Sequence, residues 1–244
     1  TALSKENWNM NCIRCHTTGP QPRPNQAAQR FESRVADLGI SCEACHGPAK
    51  EHIAYYQNPF NRYKDQGKPG TAHGIVNPDT ATIDHRKSAQ ICGQCHSYQF
   101  TPNPVDRLTK GPRFLPGGNL TAAANAIAVQ PSNFTGAPPK SQAETKQFIA
   151  KHGHPHPGDV WLTDRFWPDG MVRVTGREYN GLLESACFQK GQMSCISCHS
   201  MHKSDPDDQL ARGMRGNQAC LQCHDEMADD LTRHTRHAAD SPGS

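Results

Sequence analysis

The sequence predicts a mostly α-helical chain with much irregular coil and very little β-structure, organised around bound groups instead of an ordinary core. Three observations predict it. Only 34% of the 244 residues are hydrophobic and mean hydropathy is −0.78, which is poor for a self-sufficient interior. Helix signals are short but capped. A five-residue motif, Cys-x-x-Cys-His, recurs five times along the chain.

The helix signals come in chain order. Asn25 is placed to cap a helix through Leu38, stopped by Gly39, with Ala28, Phe31, Val35 and Leu38 on one face. Asp84 caps a segment running into Cys92. Ser141-Gln-Ala-Glu144 is a capping box that opens a helix ending at Gly153. Asn217 caps the segment holding Cys220, and Asp225 to His237 also reads as helical. The best short strand is Met171-Val-Arg-Val174, flanked by Gly170 and Gly176. Between His96 and Cys195, Pro102, Pro104, Pro112, Pro116 and Pro138-Pro139 make the middle read as irregular loop.

The motifs are Cys12-Ile-Arg-Cys15-His16, Cys42-Glu-Ala-Cys45-His46, Cys92-Gly-Gln-Cys95-His96, Cys195-Ile-Ser-Cys198-His199 and Cys220-Leu-Gln-Cys223-His224. Two thiols one helical turn apart reach the two vinyl groups on one porphyrin edge, and the histidine that follows aims a nitrogen at the iron. This is the attachment signature of c-type haem. A zinc ribbon or a redox disulfide also uses Cys-x-x-Cys, and the spacing from Cys198 to Cys220 is near the zinc pattern. Neither chemistry asks for histidine after the second cysteine. With histidine at roughly 6% of the chain, five such coincidences have odds on the order of one in a million. The eleventh cysteine, Cys187, has no partner at motif spacing and reads as a small buried apolar residue.

Five haem c groups with their iron leave about 49 residues each, so the cofactors must supply much of the apolar interior and folding must accompany attachment. The formal charge of +3 describes the polypeptide alone. Each haem adds about −1 when ferric and about −2 when ferrous, taking the whole to about −2 oxidised and about −7 reduced. There is no basic stripe interleaved with aromatics, which excludes nucleic acid as an expected partner. No apolar run approaches 18 residues, the length of a membrane span, and no signal peptide opens the sequence. Haem is attached to such motifs outside the cytoplasm, so the expectation is a mature or trimmed chain in the periplasm, at the cell surface or outside the cell.

Three motifs lie in residues 1–100 and two in 141–244, with a Pro/Gly/Ala-rich loop region at 101–140; the whole reads as one continuous haem-packed domain. Nine histidines remain beyond the five proximal ones, enough to give each iron a second imidazole. The candidates for that distal position are His52, His85, His202, His154, His234, His237 and His73. His52 and His202 follow proximal histidines by six and three residues, too close to fold over the same ring, so each points to a neighbouring haem. His154 is the choice within the His152–His156 cluster, and His234 and His237 project to one side of a helix. Met201 and Met214 are read as packing residues instead of ligands.

Several stretches resemble known multihaem cytochromes. Asn7-Trp-Asn-Met-Asn-Cys-Ile-Arg-Cys-His16 and Gly39-Ile-Ser-Cys-Glu-Ala-Cys-His-Gly-Pro48 resemble the cytochrome c-554 group. Phe166-Trp-Pro-Asp-Gly170, Gly176-Arg-Glu-Tyr-Asn180, Ser194 to His202 and Asn217 to His224 are similar to its doubled-CXXCH relatives, some of which are fused to tetratricopeptide repeats. The resemblance implies a haem-packed, mostly α fold with bis-histidine irons and an electron-carrier role. It also implies that His52 and His202 ligate haems other than their own. Relatives often carry further haem segments on either side, so the chain is expected to be part of a longer protein or to borrow contacts from neighbouring copies.

Taken together, the residues favour an electron conduit with mainly low-potential bis-His haems. It would exchange electrons with other redox proteins or with copies of itself, up to a polymeric haem wire. The alternative is an oxidoreductase acting on a small nitrogen or sulfur compound at one haem with an open coordination position. The lysine-ligated variant motif of nitrite-reducing relatives is absent, and no hydrolytic triad assembles, so a catalytic role is the weaker reading.

Overall fold

No helix among the described residues is longer than eleven residues, and every strand is two residues long. The computed structural model describes residues 7–68, 73–101, 103–123, 127–128, 141–152, 164–167, 171–202, 209–238 and 240–241. The chain divides into two units, Thr1–Ser194 and Cys195–Ser244. The fold is mostly helical with little strand, as expected.

In the first unit a π turn at Trp8–Cys12 runs into α1 (Ile13–His16). Strand β1 (Thr17–Thr18) pairs antiparallel with β4 (Asp37–Leu38), and between them β2 (Pro24–Asn25) pairs with β3 (Arg30–Phe31). The expected helix from Asn25 to Leu38 is therefore absent. Its cap bond does form, since Ala28 N–H donates to Asn25 Oδ1 at 3.0 Å. The bond closes a turn instead, with Gln29 at φ 49° leading into the hairpin. The hairpin half-buries Phe31 and Val35 and leaves Ala28 and Leu38 exposed, Leu38 by 79%, so the apolar face of the expected helix is split.

Helix α2 (Cys42–His46) ends at Gly47, whose φ of 78° suits glycine. It is followed by α3 (Lys50–Tyr56) and α4 (Pro59–Asp65). The expected cap at Asp84 is present: its carboxylate accepts from Arg86 N–H at 2.8 Å at the start of α5 (His85–Gly93). Helix α5 buries Ser88, Ala89, Ile91 and Gly93 and is the centre of what core there is.

The middle region is more ordered than its prolines suggested. Strand β5 (Gln99–Phe100) pairs with β6 (Ile127–Ala128), and α6 (Pro104–Lys110) and α7 (Leu120–Ala123) lie between. Pro104 does not break a helix; it occupies the first turn, where its fixed φ suits the position and no N–H is needed, behind an Asn103 cap. Helix α8 (Gln142–His152) starts from the Ser141 cap, which accepts from Glu144 N–H at 3.2 Å. Gly153 and His154 lie outside the described residues. The expected strand at Met171 to Val174 shrinks to a single bridge between Phe166 and Val172. Helices α9 (Glu178–Glu184) and α10 (Ala186–Gln189) complete the unit, and α9 packs against α5. Cys187 is exposed, against expectation; its neighbour Phe188, 2% exposed, takes the buried place in α10.

The second unit holds a 3-10 turn at Cys195–Ser197, α11 (Gln218–Leu221), a second 3-10 segment at Asp225–Asp230 and α12 (Leu231–Thr235). Asn217 stands at the start of α11 but makes no side-chain cap bond. The expected helix from Asp225 to His237 is split between those last two elements. Met201, read as a packing residue, is 54% exposed.

Candidate functional site

Each of the five motifs folds as a single helical turn. In the third, fourth and fifth, the histidine N–H returns to the carbonyl of the first cysteine: His96 to Cys92 at 2.9 Å, His199 to Cys195 at 3.0 Å and His224 to Cys220 at 3.1 Å. The first and second motifs sit in α1 and α2. A turn of this kind puts both thiols and the imidazole on one side of the backbone, as attachment of a porphyrin requires.

Within the first unit the motifs are tied to one another. Arg14, inside the first motif, donates to Ser97 O at 3.0 Å and, at a long 3.5 Å, to Gln94 O in the third. Cys15 Sγ lies 3.7 Å from Cys95 O. Gln94 Nε2 donates to Ala44 O in the second motif at 2.8 Å and to Ile91 O of its own helix at 2.8 Å. The second unit repeats this: Gln222 Nε2 in the fifth motif donates to Ser197 O in the fourth at 3.2 Å and to Ala219 O at 3.0 Å. The strands after the first motif likewise hold the entry to the second. Gly39 N–H donates to His16 O at 3.1 Å, and Ser41 N–H to Thr18 Oγ1 at 3.0 Å.

Two motif histidines have a hydrogen-bond acceptor at Nδ1, and a third has a carboxylate near it. His46 Nδ1 meets Val76 O at 2.6 Å, His96 Nδ1 meets Glu178 Oε2 at 3.0 Å, and His224 Nδ1 is 3.7 Å from Glu226 Oε1. A proton held on Nδ1 places the metal-binding lone pair on Nε2 and fixes the ring's direction, the arrangement that iron-ligating histidines need. Helix α9 is built around the third motif in consecutive residues. Glu178 backs His96, the Tyr179 ring lies 2.7 Å from where a Cβ on Gly93 would stand, and the fully buried Asn180 exchanges hydrogen bonds with Tyr98 N and O at 2.7 and 3.1 Å. Burial pulls the Glu178 carboxyl upward, but its backbone bonds, His96 and Gly176 N–H outweigh that and hold it below the usual carboxylate range.

The remaining surroundings also fit haem. Exposed apolar side chains flank the motifs: Trp8 beside His16, Leu38 and Ile40 ahead of Cys42, and Met201 after His199. Arg107 feels the charge of Arg14, and Arg177 that of Arg14 and Arg165. Burial, then Arg14, lowers Arg107 to about 10, and burial, Arg14 and Arg165 lower Arg177. The Nε atoms of Arg14, Arg165 and Arg177 are buried without an acceptor among the described residues. Buried cationic N–H groups of this kind suit anions, and porphyrin propionates are anions. The ten motif cysteines, Cys12, Cys15, Cys42, Cys45, Cys92, Cys95, Cys195, Cys198, Cys220 and Cys223, would hold haem as thioethers, with His16, His46, His96, His199 and His224 to its iron. In the chain before attachment, contact with Cys95 outweighs burial and, with Arg14 and Arg177, holds the Cys15 thiol well below its ordinary range.

The distal candidates are scattered. His52 and His73 flank Tyr56, with ring centroids 4.8 and 5.6 Å away. His73 also stacks on Tyr55 at 3.7 Å and bonds Asp65 Oδ2 at 2.9 Å, beside an open groove of about 660 Å³ lined by Tyr56, Tyr63 and Asp65. His85 is mostly buried, its Nε2 3.2 Å from Phe188 O and its ring edge-on to Phe188. His202 and His237 are exposed in the second unit; His154 and the side chain of His234 are outside the described residues. Sequence reasoning missed Glu178, Tyr179, Asn180 and the bridging role of Gln94 and Gln222. Two signals for the α9 dock were available: the Gly176–Asn180 stretch, given no role above, and glycine after the first cysteine in the third motif alone.

Residues 1–47 match the profile of the family described as cytochrome c554 and c-prime, and residues 186–229 match the doubled CXXCH motif. Among solved structures the chain is similar to the outer cell wall cytochrome OcwA, at 22% identity and TM-score 0.39, over 80% of this chain and 33% of that one. It is also similar to an undecahaem cytochrome from the S-layer of Carboxydothermus ferrireducens, at 17% identity and TM-score 0.34, over 90% of this chain and 30% of that one. The chain thus spans about a third of the length of either structure. No curated protein matches it.

Proposed function

Because the chain is a multihaem c-type cytochrome, we propose that it carries five haems, one at each motif, mainly with histidine on both faces of the iron, and conducts electrons along them. The observation that carries this reading is the hydrogen bonding between motifs: first to third through Arg14, to Gln94 O and to Ser97 O just beyond it, third to second, and fifth to fourth. Groups attached to backbone turns that touch must themselves be neighbours, and electron tunnelling falls off steeply with the gap. The chain's own contribution is to orient each imidazole through its Nδ1 acceptor, bury the rings and surround them with charge, which together set the potentials.

Attachment to Cys-x-x-Cys-His places the working protein outside the cytoplasm, in the periplasm or at the cell surface. Among the described residues no helix is long and apolar enough to cross a membrane. Its partners in this reading are other redox proteins or further copies of the chain. The exposed His202 and His237 are the residues that would be donated between copies to extend a wire.

Electron paramagnetic resonance of the oxidised protein, with intact mass for haem number, tests the reading. The expected result is five haems per chain and low-spin ferric signals only, with His202→Ala turning one haem high-spin while all five stay attached. A stoichiometric high-spin signal in the native protein would overturn the conduit in favour of reaction at an open iron.

A further inference from the structure

The second variable position of the motif, Cys-x-X-Cys-His, recurs as a bridge. It is Gln94 in the third motif and Gln222 in the fifth. Each spends one amide N–H on the carbonyl three residues back in its own turn, Ile91 O at 2.8 Å and Ala219 O at 3.0 Å. Each turns the other toward the carbonyl of the same motif position in the preceding motif, Ala44 O at 2.8 Å and Ser197 O at 3.2 Å, and Gln222 Nε2 also lies 3.7 Å from Cys198 Sγ. The two bridges lie in different units and share no residue. The first motif has arginine at this position, and Arg14 likewise reaches across, to Ser97 O and Gln94 O beside the third.

A primary amide has two N–H groups and no freedom to satisfy both carbonyls unless the two turns stand at one separation and one rotation. A residue without a side-chain donor leaves the two turns tied only through their backbones. Glutamine is also uncharged, so the bridge adds no charge between two irons that must cycle between oxidation states. The local bond alone would explain a glutamine that ends its own turn. It does not explain why the second N–H finds the corresponding carbonyl of another motif in both places.

We infer that Gln94 and Gln222 are positioning residues that fix the spacing and mutual orientation of consecutive haems, second with third and fourth with fifth. This rests on the reading that every motif carries haem. Neither residue is placed as an iron ligand; Gln94 acts through the backbone of the neighbouring turn, and Gln222 through that backbone and its contact with Cys198 Sγ.

The test uses the haem-loaded full chain with Gln94→Met and Gln222→Met, which keep side-chain length and remove the donor, and Gln94→Arg and Gln222→Arg, which keep a donor as Arg14 does. Visible circular dichroism in the Soret band reports the coupling between neighbouring haems, intact mass reports attachment, and amide exchange reports the fold. Each methionine variant is expected to keep full haem mass and backbone protection, yet lose most of the paired Soret signal of its own haem pair. Each arginine variant is expected to retain it. A methionine variant that loads fewer haems while the arginine variant loads all of them also supports the bridge, since only the donor differs. An unchanged Soret signal in both methionine variants overturns the inference, as does equal loss in methionine and arginine variants. A wild-type chain without covalent haem would instead sink the proposed function.

Discussion

All eight buried hydrophobic side chains among the described residues, Ile13, Ala89, Ile91, Phe114, Leu120, Phe166, Tyr179 and Phe188, lie in residues 1–194; in 195–244 no described residue is buried. The first unit carries three motifs and the second carries two in a quarter of the length. What little polypeptide core exists is therefore found where the motifs are sparse. Where they are dense, the proposed porphyrins would have to supply most of the interior, and the two units should answer differently to their removal.

The largest expected effect is loss of the second unit's fold. Removing the fifth attachment with Cys220→Ala and Cys223→Ala should let amides around α11 and α12 exchange about 100-fold faster or more, equivalent to losing nearly 3 kcal/mol of local stability. The matching change at the third motif, Cys92→Ala with Cys95→Ala, should leave Ala89 and Ile91 measurably protected, because α9 and α10 still cover α5. If the second unit stays protected without its haem, the polypeptide is holding itself together and the contrast between the units is wrong.

Phe188→Ala probes the contrast from the other side. The ring is 2% exposed, edge-on to His85 and 5.1 Å from the Arg86 guanidinium. Its truncation should cost the first unit about 3–5 kcal/mol in denaturant unfolding, with no change in the spectra of the fourth and fifth haems. Gly93→Ala should cost less, about 1–2 kcal/mol, because a Cβ would meet the Tyr179 ring at 2.7 Å, and the helix propensity of alanine gives back only part of the strain. The equivalent position in the fifth motif holds Leu221, so its backbone has no such close neighbour to protect.

These positions also show which parts of the molecule sequence alone can reveal. The helical turn at each motif, the Asp84 cap and the Ser141 cap are set by residues within four positions of each other, and all of them are found in the structure. Asn25 failed because its cap bond serves a turn as readily as a helix, and the choice was made by strand pairing of Asp37–Leu38 with Thr17–Thr18, about twenty residues away. Pro104 failed the other way: read as a breaker, it starts a helix. The backing of His96 by Glu178 spans 82 residues and leaves no local trace. Nor does a glutamine inside Cys-x-x-Cys-His announce that its second N–H will reach Ala44 or Ser197. The motif turns were legible; the groups that back them were not.

The smallest expected effect concerns those holding groups and sharpens the comparison between units. Glu178 accepts from His96 Nδ1 at 3.0 Å, whereas Glu226 stands 3.7 Å from His224 Nδ1, beyond an ordinary hydrogen bond. A carboxylate acceptor makes an imidazole more basic and favours ferric iron. Glu178→Gln removes that charge; if the bond is worth about 1 kcal/mol more to the oxidised state, the third haem's potential rises by about 40 mV. Glu226→Gln should move the fifth haem by about 10 mV or less. Spectroelectrochemical titration of the two variants measures both shifts. Because the Glu178 carboxyl titrates below its unfolded value, its contribution is present above the usual carboxylate range and is lost only as pH falls through the lowered folded value. The Glu178→Gln difference should accordingly persist at pH 5 and shrink in more acidic solution. Equal shifts in both variants would mean that distance to Nδ1 does not set these potentials, and that the two units tune their irons by the same means.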